Sequence, residues 1–271
     1  MPVIQQIHKH RSIRKYKPDP IPELLLTEIL EAGIRSSSSG NMQAFSIILT
    51  KDAELRAKLL DPHLNQSMVV DAPILVTFCA DFHRMRRWLE LSSAPDNFDN
   101  YFSFMIAAID AILVAQTVAL AAESRGLGLC YLGSTLSNAD QIGKILDLPE
   151  NVVPVVGYSL GYPAEDPAPR DRLPLRGLIH HETYQDYSNE DIQAIYQERE
   201  VKGWHRYMGS EWLKNQVEAK SIENLAELYT RVKYTRPSYQ EISNRIMAYM
   251  AKQEFMNQEH PHRARDPGKL S

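Results

Sequence analysis

The sequence has few cysteines and no excess of basic residues. Cys79 and Cys130 are the only two cysteines in 271 residues, far apart and each flanked by apolar residues. They form neither a disulfide framework nor a zinc-binding spacing, so we expect both to be small core residues. Lys and Arg number 30 against 34 Asp and Glu, for a net charge of -4. This balance argues against a nucleic-acid partner.

Motifs that mark several common enzyme classes are also missing. The sequence contains no G-x-S-x-G, no H-E-x-x-H and no P-loop. Gly126-Leu127-Gly128 lacks the third glycine of the dinucleotide fingerprint and follows a helical segment rather than a strand. His180 and His181 are adjacent, but no Cys, Asp or further His stands at the spacing of a metal site. The sequence therefore favours neither a hydrolase nor a metal-binding enzyme.

One long hydrophobic run, Phe102 to Ala122, is long enough to span a bilayer. Asp110 near its centre would cost roughly 2.5–3.5 kcal/mol on insertion scales, and the flanks lack basic anchors. The basic N-terminus has no apolar run of the kind found in secretory signals. We therefore expect a cytoplasmic protein without a membrane partner. The run should be a helix buried in a large core or in a subunit interface.

The rest of the chain mixes strand-like and helix-like segments. Short β-branched apolar runs predict buried strands, and apolar residues at helical spacing predict helices. Strands that are apolar on both faces indicate a sheet covered by helices on each side. The predicted strands are Ala44 to Leu49, Pro73 to Cys79, Leu129 to Leu132 and Val152 to Leu160. The predicted helices include Val3 to His10, Glu23 to Ile34, Ala53 to Leu60, Asn138 to Leu146, Ile222 to Val232 and Tyr239 to Phe255.

Three polar clusters are candidates for ligand binding. Residues 10–15 (HRSIRK) combine three cations with a hydroxyl, and arginine forks suit phosphate oxygens, although a solvated charge run has the same composition. Residues 36–43 (SSSSGNMQ) can aim N–H and hydroxyl groups at an anion or a polar ring edge, although most serine runs are turns. Arg170 and Arg172 lie in a proline-stiffened segment and point the same way if it is extended. An ordinary surface loop would look alike.

Taken in order, these clusters match a known family. The sequence resembles the oxygen-insensitive nitroreductases, most closely their larger NADPH-type nitro/flavin reductase branch, over residues 1 to about 185. The motifs that carry the resemblance are residues 10–14 (HRSIR), the serine loop through Gln43, Asn65-Gln66, Cys79-Ala80-Asp81, residues 121–128 (AAESRGLG), Tyr131-Leu132-Gly133, residues 169–174 (PRDRLP) and residues 181–184 (HETY).

The resemblance implies an α+β fold, a three-layer α/β/α sandwich in an intertwined homodimer with FMN in clefts at the subunit interface. It implies an FMN-binding core over residues 1–187 and a helical extension over residues 188–257 that wraps the partner subunit. Residues 258–271 are low in hydrophobics and are expected to be a disordered tail.

The resemblance also implies the chemistry. FMN, rather than a side chain, would carry the hydride, so no catalytic side chain is expected. NADPH or NADH would be the donor and nitroaromatics, quinones or free flavin the acceptors, in a ping-pong reaction. The residues implied at the phosphate end are His10, Arg11, Ser12, Arg14, Arg170 and Arg172. Those implied in the serine loop are Ser38, Ser39 and Met42, with Gln66 at the pyrimidine side and Tyr131, Leu132, Gly133 and Ser134 near the N5 edge.

The sequence departs from the family pattern at several positions. Ser134 stands where relatives usually have a second glycine, and Arg170 stands where lysine is common. Beyond about residue 184 the resemblance fades. Arg199, Lys202 and Arg206 are candidates there for selecting NADPH, or else form a solvated helix face. Two other functions stay open: a specialised flavin dehydrogenase or oxidase acting on one metabolite, and a non-enzymatic flavin-binding protein.

Overall fold

Four strands form one sheet in the computed structural model, which describes residues 2–257. They are β1 (Phe45–Thr50), β2 (Ile74–Asp81), β3 (Gly128–Tyr131) and β4 (Val152–Gly161). The sheet order is β1-β2-β4-β3, and every neighbouring pair is antiparallel. All four predicted strands are confirmed, each to within two residues of its predicted ends.

Helices cover both faces of this sheet, so the predicted three-layer arrangement is confirmed. Successive side chains of a strand point to opposite faces. The α-helices of this part of the chain are α1 (Val3–His8), α2 (Glu23–Gly33), α3 (Ala53–Leu60), α4 (Met68–Asp71), α5 (His83–Leu91), α6 (Tyr101–Ser124), α7 (Ser134–Ser137) and α8 (Ala139–Ile145). Ile74, Val76 and Phe78 pack in one core cluster with α2 and α6, whereas Leu75 and Cys130 pack in another with α3, α4 and α8.

The long helix α6 is buried on one side and exposed on the other. On its buried side, Val118 approaches α2 so closely that a Cβ on Gly33 would lie 2.1 Å from its Cγ2. On the other side, Ile109 and Ile112 are 48% and 50% exposed. By length and composition alone α6 is long enough to cross a membrane, and half of that stretch is buried within the chain. The predicted burial is therefore confirmed for one face only.

Both cysteines lie in the core, as predicted. Cys79 is 0% exposed and Cys130 is 3% exposed, and neither forms a disulfide. Burial raises the pKa of the Cys79 thiol, and the charge of Asp81 adds to this effect. At neutral pH the Cys79 thiol is therefore protonated and inaccessible.

The chain divides into two compact units. Residues up to Pro167 group with residues from Ser243 onward, and Ala168–Ile242 form the second unit. The second unit contains α9 (Asn189–Tyr207), α10 (Glu211–Ala219), α11 (Leu225–Leu228) and a π-turn (Tyr229–Lys233), while α12 (Arg236–Lys252) spans the division. The helix predicted over residues 222–232 is thus a short α-helix followed by the π-turn. The tail predicted for residues 258–271 lies outside the described residues.

Candidate functional site

The basic motif of residues 10–15 runs beside β3. Ser12 forms a parallel bridge with Leu129, and the backbone N–H of Ile13 donates to the carbonyl of Leu129 at 2.9 Å. Ile13 is 3% exposed, and a Cβ on Gly128 would lie 2.5 Å from its Cγ1. The motif is therefore fixed to the sheet through Ile13, which approaches β3 where the strand has a glycine.

Two predicted phosphate ligands in this motif already have acidic partners. The Nδ1 atom of His10 lies 2.6 Å from a carboxylate oxygen of Glu123, whose side chain is 7% exposed. The Arg11 guanidinium forms an ion pair with Asp166 and donates to the carbonyl of Pro167 at 3.4 Å. Both side chains are held in place by the protein itself.

Arg14 is arranged differently. Its backbone N–H donates to a carboxylate oxygen of Glu165 at 2.5 Å, as the N–H of Lys15 does at 3.1 Å. Within residues 2–257 its guanidinium forms no ion pair or hydrogen bond, and the residue is exposed. A guanidinium with five N–H donors and a fixed backbone is suited to a phosphate group.

The serine loop is anchored by hydrogen bonds to Asp110 of α6. Asp110 is 0% exposed, and its carboxylate accepts hydrogen bonds from the Ser38 hydroxyl at 2.6 Å, from the Ser39 N–H at 3.0 Å and from the Ala44 N–H at 3.2 Å. The Ser38 hydroxyl accepts in turn from the N–H of Gln43 at 2.7 Å. A buried charge is tolerated when it is hydrogen-bonded in this way. In the sequence alone, Asp110 indicates that α6 is a poor membrane-spanning segment.

The same loop is tightly wound at its tip. Gly40, Asn41 and Gln43 have φ values of 56°, 54° and 52°, in the left-handed region. Met42, predicted to meet the flavin, is partly buried and packs against the core cluster that includes Ala44. Because the Ser38 hydroxyl is used by Asp110 and Gln43, Ser39 is the serine of the predicted pair whose hydroxyl is not used in this network.

Gln66 and Ser134 are joined through His63. The Gln66 side-chain amide donates to the His63 carbonyl at 2.9 Å, and the His63 Nδ1 lies 2.9 Å from the Ser134 hydroxyl. His63 is 1% exposed, and burial lowers its pKa to about 4. The imidazole is therefore neutral at neutral pH. The structure thus brings two of the predicted flavin-facing segments together.

Residues 131–134 leave β3 and start α7. The Tyr131 hydroxyl donates to the Gln116 side chain at 3.3 Å, and burial raises its pKa. Leu132 is 2% exposed and its N–H donates to the carbonyl of Gly157 at 2.8 Å. A Cβ on Gly133 would meet nothing within 4 Å. The backbone at Gly133 therefore borders open space while its neighbours are buried.

Arg170 and Arg172, in the second unit, flank a buried carboxylate. Both arginines are exposed, whereas the side chain of Asp171 between them is 4% exposed. The segment has no regular secondary structure, but this alternation is that of an extended chain. The Arg172 guanidinium donates to the carbonyls of Arg170 and Asp171 at 3.2 and 3.0 Å.

The three candidate donor-selecting cations of α9 have acidic partners within the same unit. The Arg199 Nε and the Arg206 Nη1 lie 2.6 and 3.1 Å from the two carboxylate oxygens of Asp171. Lys202 pairs with Glu198 one turn away on the helix surface. The three residues therefore do not form one free basic cluster, and their role in nicotinamide selection stays a prediction.

Other kinds of site find little support in the part of the chain described. Residues 2–257 contain no group of three or more His, Cys, Asp or Glu that could hold a metal ion. A cavity of about 810 Å³ in the second unit lies between α9 and α11 and is mostly apolar. Arg199 lines it, but none of the residues predicted to bind FMN does.

Comparison with known proteins identifies the family. The family model of the nitroreductase family matches residues 7–162, more than half of the chain. This chain belongs to the nitroreductase family. The matched stretch includes the basic motif, the serine loop, Gln66 and residues 131–134, and it ends before Arg170. The family resemblance inferred from the sequence is therefore confirmed.

Several relatives cover most of this nitroreductase. It is 36% identical over 192 residues to an NADPH-flavin oxidoreductase of Vibrio harveyi, covering 70% of this chain and 78% of the relative. It is 33% identical over 240 residues to an FMN reductase (NAD(P)H) of Bacillus subtilis, covering 86% and 92%. The crystal structure of nitroreductase A from Vibrio parahaemolyticus superposes with a TM-score of 0.77 at 32% identity, covering 95% of this chain and all of that one.

Sequence reasoning missed the residues that hold the candidate ligands in place. Asp110, His63, Glu165 and Asp171 each contact one or more predicted site residues. For Asp110 the sequence does offer an indication, because a single acidic residue inside an apolar helix needs hydrogen-bond partners. Asp171 is flanked by two arginines in the sequence, but its actual partners lie on a helix further along the chain.

Proposed function

We propose that this nitroreductase is an FMN-dependent oxidoreductase that passes electrons from NADPH or NADH to nitroaromatics, quinones or free flavin. The family assignment supports a flavin reductase or nitroreductase, and the names of the two relatives point to FMN and a nicotinamide donor. The observation that carries the proposal is Arg14, whose backbone is fixed by Glu165 while its guanidinium has no partner within residues 2–257.

The cation, the hydroxyl groups and the open backbone of the candidate site fit flavin mononucleotide. Arg14 supplies a cation for the phosphate, helped by Ser12 beside it. From the family resemblance we also propose Arg170 and Arg172 as phosphate ligands. The anchored loop supplies Ser39, and the open space at Gly133 allows a flat ring to approach the backbone. When bound, FMN would accept a hydride from the donor and return two electrons to the acceptor at the same face, which is a ping-pong scheme. The side chains bind and orient the group, and no acid/base pair is needed.

We also propose that the active species is a cytoplasmic homodimer. The support is the exposed apolar face of α6, where Ile109 and Ile112 lie one turn apart and are each about half exposed. A contiguous apolar face of this kind is typical of a subunit interface. On this proposal the partner subunit covers α6, and residues 188–257 take part in the contact.

The first test is the visible spectrum of the purified protein, which should be yellow with flavin bands. Anaerobic NADPH should bleach these bands rapidly, whereas a non-enzymatic flavin-binding protein would keep its colour. Steady-state oxidation of NADPH and NADH with a quinone should then turn over many times. A specialised dehydrogenase or oxidase would show little turnover with quinones and nitroaromatics.

The second test removes the proposed phosphate ligand. Arg14→Ala should bind FMN tenfold or more weakly, because a charge-assisted hydrogen bond pair contributes roughly 1.5–3 kcal/mol. Riboflavin, which lacks the phosphate, should bind almost as well as before. Lys17→Ala is the matched control, since Lys17 is an exposed cation nearby whose N–H donates to the Tyr162 carbonyl. Unchanged FMN affinity in Arg14→Ala would remove Arg14 from the site.

A further inference from the structure

The structure shows a carboxylate clamped by two arginines at the centre of the PRDRLP segment, residues 169–174. Asp171 contacts Arg199 with one carboxylate oxygen and Arg206 with the other, at 2.6 and 3.1 Å. Desolvation alone would raise the pKa of Asp171, but the hydrogen bond from Arg206 and the charge of Arg199 outweigh it and hold the pKa below its ordinary value. The carboxylate is therefore charged over the whole neutral range.

The arginines of this clamp come from a well-supported helix. Arg199 and Arg206 are two turns apart on α9 and so share one face of it. The helix begins with a capping box at Ser188. Near its C-terminal end α9 packs closely on α11, since a Cβ on Gly203 would lie 2.6 Å from a methyl carbon of Leu225. Each arginine side chain is 29% exposed, so the clamp is largely shielded from water and from salt.

The opposite side of the same segment carries the two arginines expected at the phosphate. Neighbouring side chains of an extended segment point in opposite directions. The alternation of exposure accordingly places Arg170 and Arg172 on the side of the segment opposite Asp171, where the Arg172 guanidinium donates to the backbone carbonyls of Arg170 and Asp171. If the segment were flexible, phosphate binding would have to order it, at a cost in conformational entropy.

We propose that Asp171 is a positioning residue, and that Arg199 and Arg206 serve FMN binding by clamping it rather than by selecting NADPH. The clamp preorganises Arg170 and Arg172 for the phosphate of FMN. This inference rests on the proposed function, because it takes FMN to be the ligand. It departs from the interpretation of Arg199, Lys202 and Arg206 as a nicotinamide-selecting cluster and leaves only Lys202 available for that task.

The experiment compares four full-length proteins: wild type, Asp171→Asn, Arg206→Ala and, as the matched control on the same helix, Lys202→Ala. The dissociation constants of FMN and of riboflavin are measured after flavin removal, and kcat/KM for NADPH and NADH after reloading. Asp171→Asn and Arg206→Ala should each weaken FMN binding about tenfold, or about 1.4 kcal/mol, and riboflavin binding less than twofold. The NADPH/NADH ratio of kcat/KM should not change in Asp171→Asn or Arg206→Ala, and Lys202→Ala should bind FMN as wild type does.

A merely structural role would weaken both flavins together, so equal losses for FMN and riboflavin would overturn the proposal. The double variant Asp171→Asn/Arg206→Ala should bind FMN no more weakly than Asp171→Asn alone, because that change already disrupts the contact with Arg206. A fall in the NADPH/NADH ratio of Arg206→Ala at unchanged FMN affinity would overturn the proposal and assign Arg206 to the donor. A gain in NADPH affinity in Asp171→Asn would do the same, since Asp171 would then occupy the place of a phosphate.

If Arg206→Ala does not fold, Arg206→Lys replaces it. This variant keeps the positive charge but loses the planar guanidinium with its paired N–H donors, and it should weaken FMN binding less than Asp171→Asn does. Arg206→Lys with normal FMN affinity and a lowered NADPH/NADH ratio would again overturn the proposal. Failure of wild type to bind either flavin would refute the proposed function itself, a result distinct from all of these.

Discussion

The imidazole Nδ1 of His63 lies 2.9 Å from the hydroxyl oxygen of Ser134, and both side chains are almost fully buried. The other ring nitrogen, Nε2, is buried with no hydrogen-bond partner in the part of the chain described. Ser134 is also the residue that, according to the sequence resemblance, replaces a glycine. Its hydroxyl is directed at His63, whose carbonyl accepts from Gln66. The Ser134 side chain therefore contacts the buried residue that also binds Gln66, next to the segment predicted to face the flavin.

We expect Ser134→Gly to lower the free energy of unfolding by about 1–3 kcal/mol. The change removes the hydroxyl that contacts the buried imidazole of His63, and an unpaired buried polar group costs about that much. The measurement is urea unfolding near pH 7.5. Ser124→Ala is the control, because its exposed hydroxyl bonds only to the carbonyl of Ala121 and its loss should cost less than about 0.5 kcal/mol. Equal midpoints for Ser134→Gly and wild type would contradict this account.

Stability should fall with acidification because of His63. Burial lowers its pKa from 6.5 to about 4 in the folded protein, while the unfolded chain titrates near 6.5. Below pH 6.5 the unfolded chain therefore binds a proton that the folded protein does not, so stability decreases as pH falls toward 4. Between pH 7.5 and pH 5 this contributes a loss of about 2 kcal/mol. Wild type should lose about that much more than His63→Asn over the same interval, and parallel losses would show that His63 is not the cause.

Asp110→Asn should disturb the serine loop. The carboxylate accepts from two backbone N–H groups and the Ser38 hydroxyl, whereas an asparagine amide has one acceptor oxygen and turns two N–H donors toward other donors. We expect a loss of about 1–3 kcal/mol in unfolding free energy and a lower flavin content after purification. Thr117→Ala, which changes a hydroxyl on the same helix that bonds to the Leu113 carbonyl, should retain its flavin. A fully loaded Asp110→Asn protein of normal stability would exclude the anchoring role.

The exposed face of α6 should form the dimer contact. We expect wild type to be dimeric at micromolar concentration with an interface of more than ~2,000 Å², as in obligate dimers. Ile109→Glu/Ile112→Glu places two charges on this face, and their desolvation should shift the protein toward monomers. Leu24→Glu, at an α2 position that is 87% exposed, should stay dimeric. Light scattering after size exclusion distinguishes the species, and a stable flavin-loaded monomer of wild type would refute the assignment.

The strands could be predicted because their information is local. Runs such as residues 74–79 are short, β-branched and apolar, and the strand they form pairs on both sides within the sheet. Helix α5 was missed because its start, at His83 and Arg84, looks like a polar loop. The hydrogen bond between His63 and Ser134 joins residues that lie far apart in the sequence. Hydrophobic periodicity predicts local secondary structure and cannot identify such a long-range pair.

The candidate site was predicted as a set of ligands, without the groups that support them. The basic motif, the serine loop and Gln66 were predicted from motif order, and the match to the nitroreductase family covers all three. The partners of Arg199 and Arg206 could not be found in this way. Their carboxylate sits between two other arginines, and the sequence offers no sign of which cations it prefers.

The burial of both native thiols makes this protein a ready background for site-specific labelling. Cys79 and Cys130 are shielded in the folded state, so a maleimide dye added under native conditions should leave them unmodified. A cysteine introduced at an exposed position such as Leu24 would then carry a single probe, without prior removal of the natural ones. The same shielding makes the two thiols reporters of opening, because each becomes reactive only when the core around it unfolds.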